Sequence, residues 1–100
     1  MTVTINQDGN KFNAAIEGRI DTTTADQFMK DITPMLEAKG ADITIDCKDM
    51  SYTSSQGLRI FLMLQKSVMA SAGSLVLTNM APSVKEVFDI TGFSSIIKIQ

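Results

Sequence analysis

Apolar and polar residues alternate from Thr2 to Asn6, with Val3 and Ile5 on one side, a period of two that predicts a half-buried strand. Gln7-Asp8-Gly9-Asn10 interrupts the pattern, and Asp-Gly is a hairpin signal. Alternation resumes over Lys11 to Gly18, where Phe12, Ala14 and Ile16 face one way, so the two strands are expected to pair antiparallel. The period then lengthens. Ala25, Phe28, Met29, Ile32 and Leu36 recur at helical spacing and predict a core stripe. Asp21 is the expected N-cap of this helix, accepting from the N–H groups of Thr23 or Thr24, and Gly40 its left-handed C-terminal cap. Pro34 falls inside the pattern and predicts a kink or local break near Thr33, because proline removes one helix hydrogen bond.

Strand and helix go on alternating. Ile43 to Cys47 reads as a short central strand. A second helix is predicted from about Gln56 to Ala72, with Leu58, Phe61, Leu62, Gln65, Val68, Met69 and Ala72 on one side and Gly73 as its cap. Leu75-Val76-Leu77 is a continuous apolar run, the pattern of a strand covered on both faces. Pro82 suits the first turn of a third helix that turns Val84, Val87 and Phe88 inward, Gly92 closes it, and Ser95 to Ile99 reads as a last strand. Such alternation with short links predicts right-handed crossovers. The expected fold is one α/β domain over residues 1–100: a mostly parallel central sheet with an antiparallel N-terminal strand and helices packed on it.

Composition narrows the function. One hundred residues give room for one domain with one core. A formal net charge of -2 argues against nucleic acid, whose binding proteins need a cationic face. No apolar run is long enough to span a bilayer, so membrane insertion is not expected. Met1-Thr2-Val3-Thr4 lacks the basic start and apolar core of a secretory signal. The single cysteine, Cys47, makes no internal disulfide and fits a cytoplasmic location, with the side chain read as a small buried hydrophobe. The chain has no histidine, which removes a Ser-His-Asp triad, a His-based zinc site and a phosphohistidine relay. Asp42, Asp46 and Asp49 read as solvated caps and not as metal ligands. No catalytic residue, metal or cofactor is expected.

The candidate chemistry sits between the third strand and the second helix, in Asp49-Met50-Ser51-Tyr52-Thr53-Ser54-Ser55-Gln56-Gly57-Leu58. A strand ending in small polar residues and opening into a helix leaves free N–H groups and partial positive charge, a setting that suits an anion. By residue type alone, Ser54 and Ser55 are most simply helix caps. Functional loops of a parallel sheet gather at the carboxyl ends of its strands. Asp21 and Ser55 both follow such ends, so their turns are expected to be neighbours. Ile60, Met63 and Leu64 project away from the helix stripe. That apolar outer face is either a docking surface or a face covered by a flanking element. Arg19 and Arg59 are expected in surface ion pairs, with neutralisation of a phosphate as the alternative.

The run Ser51-Tyr52-Thr53-Ser54-Ser55-Gln56-Gly57-Leu58-Arg59 resembles the signature of the STAS domain, the fold of bacterial anti-sigma factor antagonists. In that signature an aromatic and an aliphatic residue precede Asp or Ser, then the phosphorylatable Ser or Thr, a small residue, Gly and Leu. Gly18-Arg19-Ile20-Asp21 and the order of elements fit as well, so the resemblance covers essentially the whole chain. Ser54 departs from it, standing where many members have Asp, and Gln56 stands where a smaller residue is usual. The resemblance implies that Ser55 accepts a phosphate, with Ser54 as second choice, and that Asp21, Thr53, Ser54, Gln56, Gly57 and Arg59 surround it. It places partner contacts around the helix start, at Ser55, Gly57, Ile60, Met63 and Leu64. It implies a regulatory protein and not an enzyme. The unphosphorylated form would bind an anti-sigma factor of the serine-kinase type, the kinase would break the contact by phosphorylating Ser55, and a serine phosphatase would reset it. A variant is a STAS docking subunit of another assembly, such as a lipid-transporter ATPase or a sensor complex, in which Ser55 is a contact and carries no phosphate. The reading from another class is an enzyme or small-ligand binder at the same turn. Its serine would need a base within hydrogen-bond reach, and only Asp21, Asp49 or a lysine is available. The turn also lacks the Gly-rich cradle and Lys of a nucleotide-binding loop.

Overall fold

The hairpin signal at Asp8-Gly9 joins two strands, β1 (Thr2–Asp8) and β2 (Lys11–Ile20), which pair antiparallel with Val3 opposite Ile16 and Ile5 opposite Ala14. A computed structural model describes residues 1–100. After the hairpin come α1 (Ala25–Glu37), β3 (Asp42–Thr53), α2 (Ser55–Ala70), β4 (Ser74–Thr78) and α3 (Pro82–Ile90). A 3-10 turn over Phe93–Ser95 then leads to a two-residue β5 (Lys98–Ile99), much shorter than the strand expected from Ser95 onward. The strands lie side by side in chain order, and β2 to β5 run parallel.

That order places all three helices on one face of the sheet. Each crossover returns the chain to the next strand with the same hand, so each helix lands on the same side. Phe12, Ile43 and Leu75 are in register across β2, β3 and β4 and are buried, as are Ala14, Ile45 and Leu77. The alternate row, Asn13, Thr44 and Val76, faces away from the helices, and Asn13 and Thr44 are exposed. Val76 is half-buried, so the β4 strand is covered on one face and not on both. The helix layer is held by three rings. Phe61 of α2 packs against Phe28 of α1 at 5.3 Å and Phe88 of α3 at 5.6 Å between centroids, both tilted or edge-on, the favourable arrangements for aromatic pairs.

Three local expectations need correcting. The stripe of α1 is rotated: Ala25, Phe28, Ile32 and Met35 are buried, while Met29 and Leu36 are half-buried. The helix also runs unbroken through Pro34. Pro34 is exposed, so the carbonyl that loses its N–H partner lies on the water side, and the Thr33 hydroxyl donates to the Met29 carbonyl at 2.8 Å. At the helix ends, α1 stops at Glu37 with Ala38 already extended, and Gly40 turns the link beyond it. On α2 the left-handed residue is Ala72, and Gly73 donates its N–H to the Val68 carbonyl at 2.7 Å, which satisfies one of the last free carbonyls. Gly92 does take the left-handed conformation after α3.

Candidate functional site

The third strand does not stop at Cys47. It continues to Thr53, and its pairing with β2 slips twice. Between Ala15 and Glu17 the partner strand runs from Asp46 to Asp49, and between Gly18 and Arg19 it runs from Met50 to Tyr52, one extra residue on β3 each time. Such bulges break strict alternation and re-aim side chains. That is why the periodicity ended the strand early and made Asp49 to Thr53 look like a turn. The true junction between β3 and α2 is the single residue Ser54.

The junction gives the two serines different surroundings. Ser54 is the N-cap of α2: its backbone is extended and its Oγ accepts from the Gly57 N–H at 3.3 Å. Its own N–H donates to the Ile20 carbonyl at 2.8 Å, and its carbonyl accepts from the Leu58 N–H at 3.0 Å. Ser55 is the first helical residue, exposed, and its hydroxyl has no hydrogen-bond partner within the chain. Capping and exposure thus fall to separate residues.

Two side chains fix how closely α2 approaches the strands. Thr53 is 3% exposed, and its hydroxyl donates to the Ser54 carbonyl at 3.2 Å. A Cβ on Gly57 would run into that hydroxyl and would stand 2.8 Å from Ile20 Cγ2. Only glycine lets the first turn of α2 rest on the ends of β2 and β3.

The turn after β2 lies alongside, since Ile20 pairs with Thr53. Asp21 accepts from the Thr23 N–H at 2.9 Å and the Thr23 hydroxyl at 2.7 Å through Oδ1. Its backbone carbonyl accepts from the N–H groups of Thr24 and Ala25. Asp21 therefore closes the turn that precedes α1, and Thr24 takes the N-cap position expected for Asp21. Hydrogen bonds from the Thr23 hydroxyl, then from its N–H, hold the Asp21 carboxyl below its ordinary range. Arg19 is engaged here too, with Nε 3.8 Å from Asp21 Oδ2 and its guanidinium 4.4 Å over the Tyr52 ring. Arg59 is exposed and takes part in neither of the chain's two ion pairs, Arg19–Asp21 and Lys85–Asp89.

A groove of about 400 Å³ opens beside the two turns. Asp26 and Met29 line it from α1, and Gln56, Arg59, Ile60 and Met63 from α2. Of the two readings of the apolar outer face of α2, coverage by flanking elements holds for Ile60 and Leu64. Ile60 is 7% exposed and Leu64 1%, whereas Met63, at 41%, reaches water, as does Met69, at 67%, which the helical stripe had turned inward. α2 is the middle helix of the layer, with α1 and α3 on its flanks, so it buries a wider arc than a helix with one buried stripe. Ile60 still forms part of the groove wall, whereas Leu64 belongs to the core and offers no surface. Asp26 and Met29 were not singled out by motif. The signal that finds them is the adjacency of the two turns, which sets the first turn of α1 beside that of α2.

Asp42, Asp46 and Asp49, expected as caps, instead all lie within β3, and Asp49 is exposed there. Asp46 accepts from the Lys48 N–H at 2.9 Å and Asn79 at 3.3 Å, and Asp42 accepts from Ser74 at 3.0 Å. No group of three or more His, Cys, Asp or Glu is placed to hold a metal ion. No helix is long and apolar enough to cross a membrane.

This arrangement can be set beside known proteins. The STAS domain family model matches residues 4–100. The anti-sigma-B factor antagonist of Bacillus subtilis is 37% identical over 99 residues, which span 99% of this chain and 90% of that protein. Among solved structures, the anti-sigma factor antagonist SpoIIAA in its unphosphorylated form superposes with a TM-score of 0.81 at 20% identity, covering 99% of this chain and 88% of that one. The Bacillus cell fate determinant SpoIIAA in the phosphorylated form gives 0.73 at 19% identity, covering 99% and 91%. At those identities the structures speak for the fold, and the family model and the Bacillus subtilis relative speak for descent. The chain belongs to the STAS domain family, that of the anti-sigma factor antagonists.

Proposed function

We propose that this chain is a phosphorylation-controlled antagonist of an anti-sigma factor of the serine-kinase type in the bacterial cytoplasm. Unphosphorylated, it binds the kinase through the groove between α1 and α2 and the exposed start of α2, at Ser55, Gln56, Arg59 and Met63. The kinase transfers the γ-phosphoryl group of ATP to Ser55 Oγ. A new O–P bond forms, ADP leaves, and the hydroxyl proton passes to a base on the kinase. The phosphate adds about -1.5 to -2 charges at the edge of the contact and separates the partners. A serine phosphatase hydrolyses the ester and restores binding.

The observation that carries this reading is the division of labour at the junction: Ser54 is consumed as the cap, and Ser55 is left exposed and unbonded beside the groove. Phosphorylation there disturbs no hydrogen bond of the fold, so its effect falls on whatever docks. The kinship with an anti-sigma-B factor antagonist supports the partner class. The test is the affinity of purified chain for its cognate kinase. Ser55→Ala should bind within about twofold of the unmodified chain, and Ser55→Asp more weakly by about tenfold or more. Equal binding by both variants counts against a charge switch at this residue.

A further inference from the structure

We infer that a phosphate on Ser55 is held by Arg59 in a pair formed within α2, so that modification also removes the free cation of the docking groove. This rests on the reading of Ser55 as the phosphate acceptor and says where the phosphate goes.

Ser55 and Arg59 are four residues apart on one helix and both are exposed. Side chains at that spacing lie on the same face, about 5–6 Å apart at Cβ, and an anion N-terminal to a cation is the favourable orientation. A helical side chain leans toward the N-terminus and covers the turn before it, which carries the Arg59 guanidinium toward position 55. The two arginines near the site differ in what already holds them. Arg19 is committed to Asp21 and to the Tyr52 ring. Arg59 has no carboxylate partner and lines the groove with Gln56 and Met63. A guanidinium matches phosphate oxygens with two parallel N–H donors, a stronger and more directional pairing than a single charge contact.

Before phosphorylation, Arg59 presents a positive charge at the rim of a groove whose acidic member is Asp26. That charge suits an acidic group on the partner. After phosphorylation, the phosphate occupies Arg59, the rim turns negative, and the partner's acidic group meets both changes at once. Ser55 acts as the switch and Arg59 as the positioning residue that lays the phosphate over the groove.

The test is a phosphorus NMR titration of chain carrying phosphoserine at position 55, installed during translation so that no kinase is needed. The second phosphate ionisation has a pKa of about 6. Removing the cation with Arg59→Gln should raise that pKa by roughly 0.3–1 unit. Arg59→Lys should recover part of the difference. Arg19→Gln removes the same charge from a residue already held by Asp21 and should raise the pKa less. An unchanged pKa in Arg59→Gln, or an equal rise in Arg19→Gln, overturns the pair. If instead Ser55 is never phosphorylated in the cell, the proposed switch fails, while the titration still reports whether Arg59 holds a phosphate placed there.

Discussion

The N–H of Ser54 donates to the carbonyl of Ile20 at 2.8 Å, and this bond ties the start of α2 to the end of β2. Ile20 leads directly into Asp21, and Ser54 directly into Ser55. Two residues 34 positions apart, Asp21 and Ser55, are thereby set in adjoining turns by backbone pairing that phosphorylation of a side chain does not touch.

The first prediction separates the two serines. Ser54→Ala removes the cap of α2 and should cost about 1 kcal/mol. Ser55→Ala removes an exposed hydroxyl that bonds to nothing and should change stability by less than about 0.5 kcal/mol. Ser54→Asp should keep the cap, since Asp serves as well at that position. Urea unfolding of the three variants checks all of this; a Ser55→Ala loss as large as that of Ser54→Ala would reverse the assignment.

Gly57 makes the sharpest packing prediction. An alanine there places its Cβ against Thr53 Oγ1 and 2.8 Å from Ile20 Cγ2. Both neighbours are buried and have no room to yield. Gly57→Ala should destabilise the fold by about 1–3 kcal/mol, the range for overpacking. Gly57→Ala combined with Thr53→Ser, which removes a methyl but keeps the clashing hydroxyl, should recover little. Thermal unfolding of the single and double variants reads both.

Much of this was written in residue patterns, and the exceptions share a physical cause. The hairpin, the three helices and the alternation of strand and helix follow from periods of two and of three to four. β3 was cut short because two bulges break the alternation that marks a strand, and no local signal announces a bulge. Ile60 and Leu64 looked exposed because a helical wheel assumes one buried stripe, whereas α2 has neighbours on both flanks. Which serine caps the helix depends on where the strand ends, so the same bulges hid that too. The motif around Ser55 was legible from residue types. That Arg59 stands free while Arg19 is paired is a matter of geometry across strands.

Acid should act partly through Asp21. Its carboxyl is held below the ordinary range in the folded chain, so it contributes stability that is present above about pH 4 and lost as pH falls through the lowered folded value. Asp46 and Asp89 are shifted the same way, Asp46 chiefly by the Lys48 N–H and Asp89 chiefly by the Ser94 hydroxyl. Asp21→Asn should therefore lower Tm at neutral pH, and the gap from the unmodified chain should close below about pH 4. A constant gap from neutral to strongly acidic pH would contradict the role of the charge.

Cys47 should behave in the opposite sense. Burial pushes its thiol up to about 12 from 9.0. The folded chain then keeps its proton where the unfolded chain loses it, so stability falls as pH rises from about 9 toward 12. The native thiol should react with a disulfide reagent at neutral pH only as fast as the chain opens, and at full rate in urea. Fast modification of the native chain would place Cys47 outside the core.

The central claim is that Ser55 carries the phosphate. Its direct test is phosphosite mapping by mass spectrometry after incubating the purified chain with ATP and lysate of its own cells, beside Ser55→Ala and with a second substrate to show the lysate is active. The expected result is a phosphate on Ser55 that is absent from Ser55→Ala, with Ser54 unmodified. A phosphate on Ser54, or none in an active lysate, would contradict it, and the second result would leave Ser55 as a contact residue of a docking subunit.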